Sequence, residues 1–202
     1  MANYKNKDII KNDKNNIILV GMPSSGKSTI GSILAQKLNM NFIDTDYLIR
    51  ESQKMDLKDI VNAFGHEHFL KIQENEILRL NAENSIIATG GSVIYGKKSM
   101  TYLKNMGNIV YLMLSIEELA ARIASGRRFA KNAGQSFTEL YYERVPLYEK
   151  YSDIIVNCSN KEIDVIVNEI ILCIGTLFNV KEIPFTLKVS PIHTRPRYNL
   201  VH

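Results

Sequence analysis

The sequence predicts an α/β domain, an open five-stranded parallel sheet flanked by helices on both faces. Three observations predict it. Short apolar runs at 17–20, 41–44, 85–88, 108–114 and 153–156 alternate with segments of helical period. A glycine-rich stretch, Gly21 to Thr29, lies between the first run and the first helical segment. Acids and glycines stand where the second and third runs end, and open α/β sheets bind ligands outside the carboxyl ends of their strands.

The chain has 202 residues, enough to bury one substantial core. It is 45% hydrophobic and 23% charged, and no apolar run approaches the length that spans a bilayer. A net charge of +4 with a pI near 8.9 suits an enzyme holding anionic substrates, and is too mild to indicate nucleic acid. Residues 1–16 are rich in Asn, Lys and Asp and lack the apolar segment of a secretory signal. They read as a flexible leader on a cytoplasmic protein. Cys158 and Cys173 stand far apart in apolar surroundings and read as buried thiols, neither a disulfide nor a metal site.

Ile17 to Val20 is the first strand. Gly21-Met-Pro-Ser-Ser-Gly-Lys-Ser-Thr29 then fits G-x-x-x-x-G-K-[ST], the phosphate-cradling P-loop. Gly21 and Gly26 let the backbone curl so that successive N–H groups point at phosphate oxygens. A helix starting near Lys27 adds the positive end of its dipole. Lys27 can reach the β- and γ-phosphates of ATP, and the Ser28 hydroxyl is placed to ligate Mg²⁺. Gly21, Ser24, Ser25, Gly26, Lys27, Ser28 and Thr29 are the nucleotide-binding candidates of this loop. Ile30, Ile33, Leu34 and Leu38 share one face of the helix that follows.

The second strand ends in Asp44-Thr45-Asp46. Two carboxylates there can hold Mg²⁺ or accept a proton from an attacking hydroxyl, whereas one alone would cap the helix beginning at Tyr47. Residues 55–64 and 66–82 read as helices, with His66 and His68 as helix-start residues on different faces. After the third strand, Thr89-Gly90-Gly91-Ser92 permits close backbone approach to a ligand, or makes an ordinary turn. A helix over 97–104 and a buried strand follow, and Ser115 with Glu118 predicts a capping box.

Residues 125–135 hold Arg127, Arg128 and Lys131 between two glycines, and read as a basic lid over ATP or a solvated loop. Residues 136–151 form a helix that Pro146 should kink or restart, with Arg144 just before the break. Ile163, Ile166, Val167, Ile170 and Ile174 stripe a closing helix. The domain thus runs over 17–175. Residues 176–202 are an irregular basic extension that packs back or reaches a partner; a monomer is expected, with this extension as the segment that would carry a dimer.

At this point the sequence resembles the shikimate kinase family of small-molecule P-loop kinases, over roughly 15–175. The resemblance rests on the P-loop, Phe42-Ile-Asp-Thr-Asp46, Gly90-Gly91, the basic lid and Glu143-Arg-Val-Pro-Leu-Tyr148. It implies a nucleoside-monophosphate-kinase-like fold with strand order 2-3-1-4-5. It also implies that Asp44 helps Ser28 hold Mg²⁺, and that Asp46 contacts the acceptor hydroxyl as the base. Gly90 and Gly91 would line the acceptor pocket, Arg144 would pair with the acceptor's carboxylate, Arg128 or Arg127 would reach the phosphates, and Arg122 would lie by the adenine.

The chain departs from the family's Phe-Arg-x-x-Glu segment, which here reads Phe69-Leu-Lys-Ile-Gln73. Leu70 stands where a carboxylate-gripping arginine is expected, Gln73 where its supporting acid is, and Ser92 in place of a third glycine. The lid also lacks the expected Arg-Pro-Leu start. A lost charge-assisted pair of this kind is worth about 2–5 kcal/mol where desolvated, enough to change the acceptor. The reading is an ATP-dependent kinase acting on a hydroxyl of shikimate or a shikimate-like compound. The rivals are a kinase for another small hydroxylated metabolite, a nucleoside or nucleotide kinase, and a nucleotide-binding regulator without catalysis.

Overall fold

A computed structural model describes residues 16–124 and 134–177. Five parallel strands form one sheet in the order β2-β3-β1-β4-β5. They are β1 (Asn16–Val20), β2 (Asn41–Asp44), β3 (Ser85–Ala88), β4 (Gly107–Met113) and β5 (Ile154–Asn157). Between them run α1 (Lys27–Leu38), α2 (Thr45–Gln53), α3 (Leu57–Phe64), α4 (His66–Arg79), α5 (Lys97–Met106), α6 (Ile116–Ala124) and α7 (Phe137–Tyr151), and α8 (Ile163–Leu177) follows the last strand. A 3₁₀ turn, Val93–Tyr95, precedes α5.

β1 and β3 are buried along their whole length, as continuous apolar runs of a sheet covered on both faces should be. β2 is an edge strand, and its Phe42 is 38% exposed. A smaller apolar cluster of Ile49, Ile60 and Phe69 joins α2, α3 and α4 beside the main core. No helix among the described residues is long and apolar enough to cross a membrane.

Several boundaries differ from the sequence reading. Asn16 belongs to β1 rather than to a leader. It is fully buried and its amide donates to the carbonyls of Ala82 (2.7 Å) and Met106 (3.0 Å), while its Oδ1 accepts from Ser85 N–H (3.0 Å). A polar side chain is tolerated there because all three of these bonds are made. α8 extends to Leu177, past the expected end at 175. Residues 178–202 and the expected leader up to residue 15 lie outside the described residues.

Pro146 neither ends nor restarts α7. The carbonyl it frees belongs to Tyr142, a residue 65% exposed, where water can take the lost bond. The capping box expected at Ser115 forms only in half. Ser115 Oγ accepts from Glu118 N–H at 3.3 Å, but Ser115 N–H donates to Ser159 Oγ (2.8 Å) and Glu118 Oε1 accepts from Asn160 N–H (2.8 Å). The turn after β5 has taken both groups. The complete box lies at the start of α7, between Ser136 and Glu139. Of the two thiols, Cys158 is buried and Cys173 only half-buried.

Candidate active site

Register brings the functional segments to one edge of the sheet. Leu19 of β1 pairs with Ala88 of β3, and Ala88 pairs in turn with Asp44 of β2. The loops after these strands therefore leave the sheet side by side, at the carboxyl edge where open α/β sheets bind ligands. Thr89 fastens the third loop to the first strand: its N–H (3.2 Å) and Oγ1 (2.9 Å) both donate to the Leu19 carbonyl. Gly90 N–H donates to Thr45 Oγ1 at 3.2 Å, fastening the same loop to α2.

The phosphate loop enters α1 through Gly26, whose φ of +92° any side chain would strain. Lys27 is buried and folds over its own loop. Its Nζ donates to the carbonyls of Gly21 (2.9 Å) and Met22 (2.8 Å) and approaches Ser25 Oγ at 3.4 Å. Ser24 and Ser25 are buried, while Ser28 and Thr29 are exposed on the first turn of α1. Arg122 of α6 reaches across, with Nη1 3.2 Å from the Ser24 carbonyl.

Asp44 serves two neighbours at once. Its Oδ1 caps α2 by accepting from Asp46 N–H (2.9 Å) and Tyr47 N–H (3.2 Å). Its Oδ2 accepts the Ser28 hydroxyl at 2.6 Å. The cap and the metal-ligand readings of this residue are thus compatible. Asp46, in the first turn of α2, faces Gly90. A Cβ at Gly90 would lie 2.5 Å from Asp46 Oδ1 and 2.4 Å from Gln73 Nε2, so only glycine fits without displacing them. Gln73 is buried, and its Oε1 accepts the Ser92 hydroxyl at 2.9 Å.

Arg144 is 1% exposed, and its guanidinium is held rather than free. Nε donates to the Tyr95 hydroxyl at 3.1 Å, and the group lies 5.1 Å from the centre of the Tyr95 ring. Tyr95 in turn donates to Glu143 Oε1 at 2.5 Å. Burial and the bond to Glu143 raise the Tyr95 phenol, opposed by Arg144. Tyr148 donates to the Gly91 carbonyl at 2.5 Å and stacks on Tyr111 at 5.0 Å between centroids. Burial holds both of these phenols well above the usual tyrosine range, so they stay protonated.

One cavity of about 780 Å³ joins these parts. Ser24, Gly26, Lys27, Ser28 and Thr29 line its phosphate end, Asp46, Gly90 and Gly91 its middle, and Arg144 lies in its wall. Leu70 does not line it. α4 turns Phe69 to the cavity and leaves Leu70 half-buried against the cluster of Ile49, Ile60 and Phe69, because adjacent helical residues face different ways. Arg127 and Arg128, with residues 125–133, lie outside the described residues. The sequence reading missed Arg50 and Lys58, which both line the cavity. A signal for Arg50 existed, since it stands four residues after Asp46 on the same helix.

A central strand running into a phosphate loop, with an acid two strands away turned into the same cavity, is the arrangement of a P-loop phosphotransferase; here the acceptor is an alcohol group and the donor ATP. A family model described as Shikimate kinase matches residues 23–175, and the chain belongs to that family. It is 39% identical over 153 residues to a shikimate kinase of Clostridium botulinum (strain Okra / Type B1), covering 73% of this chain and 90% of that protein. It is 35% identical over 159 residues to a shikimate kinase of Sulfurihydrogenibium sp. (strain YO3AOP1), covering 77% and 95%. Among solved structures it resembles the shikimate kinase from Acinetobacter baumannii in complex with shikimate, at 25% identity and a TM-score of 0.75, covering 84% of this chain and 96% of that one.

Proposed function

We propose that this chain transfers the γ-phosphoryl group of ATP to a hydroxyl of shikimate. The observation that carries the reading is the single cavity in which the phosphate loop, Asp46 and Arg144 meet. The loop amides and Lys27 hold the phosphates, and Lys27 exchanges the Gly21 and Met22 carbonyls for phosphate oxygens as ATP arrives. Asp46 orients the acceptor hydroxyl and takes its proton as the oxygen attacks the γ-phosphorus. The bond to the bridging oxygen breaks, and its electron pair leaves with ADP. Arg144 pairs with the acceptor's carboxylate against a floor made by Gly90 and Gly91. Arg122 lies by the adenine, and Arg128 of the lid 125–135 adds positive charge at the transferring group.

Mg²⁺ fits this site. Ser28 Oγ and Asp44 Oδ2, 2.6 Å apart, are the hard oxygen donors that Mg²⁺ accepts beside phosphates and water. When bound, it would neutralise charge on the phosphates. Most of the acceleration comes from positioning and electrostatics.

The absence of a cation at position 70 favours a second reading, in which the acceptor is a related hydroxylated compound that presents its carboxylate differently or lacks one. A screen of ATP consumption against hydroxylated metabolites, shikimate included, tests both: shikimate should stimulate turnover most. Stimulation by another acceptor alone would replace the first reading with the second. The reading also takes the protein as a cytoplasmic monomer that binds neither membrane nor nucleic acid, and light scattering after gel filtration tests the monomer.

A further inference from the structure

We propose that Arg50 grips the anionic end of the acceptor, with Arg144, and so sets acceptor specificity in this chain. The inference rests on the kinase reading above and deepens it.

Arg50 stands on α2 four residues after Asp46, so the two share a helix face about 6 Å apart along the axis. Both line the cavity. An acceptor whose hydroxyl meets Asp46 therefore extends toward Arg50 over roughly the width of a small ring. α3 and its N-cap also line the cavity, with Asp56, Lys58 and Asn62, and Phe69 of α4 adds an apolar surface. This end of the cavity is thus shaped for a compact molecule with an apolar body and a charged end.

The cations in the cavity differ in their commitments. Lys27 bonds to carbonyls of its own loop, and Arg144 bonds to Tyr95. Arg50 and Lys58 make no hydrogen bond or ion pair with any described residue. Of these two, Arg50 carries the planar fork that binds a carboxylate with two parallel bonds, and its guanidinium is less strongly hydrated than an ammonium. Leu70 brings no charge, and its side chain is committed to the Ile49, Ile60 and Phe69 cluster. A second positive group available to a carboxylate in this cavity therefore comes from α2 rather than α4.

The test is steady-state kinetics and direct binding on the full chain, with shikimate and its uncharged methyl ester as paired probes. Arg50→Gln should raise KM for shikimate about ten- to a hundredfold, the usual worth of a charged hydrogen bond. KM for ATP should stay within about twofold, and the preference for the acid over the ester should disappear. Arg50→Lys should recover part of that preference. Lys54→Gln removes an exposed charge from the end of the same helix, outside the cavity, and should leave both constants unchanged. Arg50 is exposed, so a folding defect is not expected, and an unchanged melting temperature checks this. An Arg50→Gln enzyme with the wild-type KM and the wild-type preference would overturn this inference alone. A wild-type enzyme that neither binds nor phosphorylates shikimate would overturn the shikimate reading, and this inference with it.

Discussion

The hydroxyl of Ser92 donates to Gln73 Oε1 at 2.9 Å, with both residues buried beside Gly90. Through this bond the loop after β3 is anchored to α4, directly behind the glycine that Asp46 faces. Ser92→Ala leaves a buried acceptor unmatched and should cost about 1–3 kcal/mol. Urea unfolding measures the loss. If Gln73 also supports Gly90, KM for the acceptor should rise while KM for ATP does not.

Lys27→Ala should lower kcat/KM at least about a hundredfold with any acceptor, since it removes a cation from the transferring group. The protein should stay folded by circular dichroism. Near-normal turnover in this variant would rule out phosphate handling by the loop.

Asp46→Asn should spare ATP binding and lower the chemical rate by about 10²–10⁴-fold, the usual worth of a positioned base. Nucleotide titration and single-turnover kinetics separate the two effects. Collapse of ATP affinity with a surviving rate would mean that Asp44 and Asp46 have exchanged roles.

Leu70→Ala should act on stability and leave the acceptor alone. The half-buried side chain packs on Ile49, Ile60 and Phe69, and its truncation should cost about 1–3 kcal/mol without changing KM for shikimate. A changed KM at constant stability would place Leu70 against the acceptor after all.

Stability should fall as the solution becomes alkaline. Burial pushes the Cys158 thiol up to about 12 from its ordinary 9.0. The folded state therefore keeps a proton that the unfolded chain gives up above about pH 9, and stability declines from there toward pH 12, by up to about 1.4 kcal/mol per pH unit. Tyr148 and Tyr111, also raised by burial, add to the decline above about pH 10. Urea midpoints between pH 8 and 10 should fall, and Cys158→Ala should flatten the first part of that fall. For the same reason Cys158 should resist alkylation in the native state.

The parts legible in the sequence are those set by local pattern. Alternating apolar runs and helical periods determine a parallel sheet, and Gly26-Lys27-Ser28 needs nothing beyond its own neighbours to form a phosphate loop. Asp44 and Asp46 were readable because a strand end fixes which edge they reach. The misses depend on contacts between distant segments. Glu118 was drawn away from Ser115 by Asn160, and Asn16 was polar enough to look like leader although three partners from other segments receive it. Which of Phe69 and Leu70 meets the cavity, and that Arg50 does, depends on how α2, α3 and α4 pack around Ile49, Ile60 and Phe69. No single helix contains that information.

The most direct test of phosphoryl transfer is phosphorus NMR of the full chain mixed with ATP, Mg²⁺ and shikimate. One phosphate ester of shikimate should form for each ADP released, with both signals absent in Lys27→Ala. ADP released without an ester, or no reaction and no nucleotide binding at all, would contradict it.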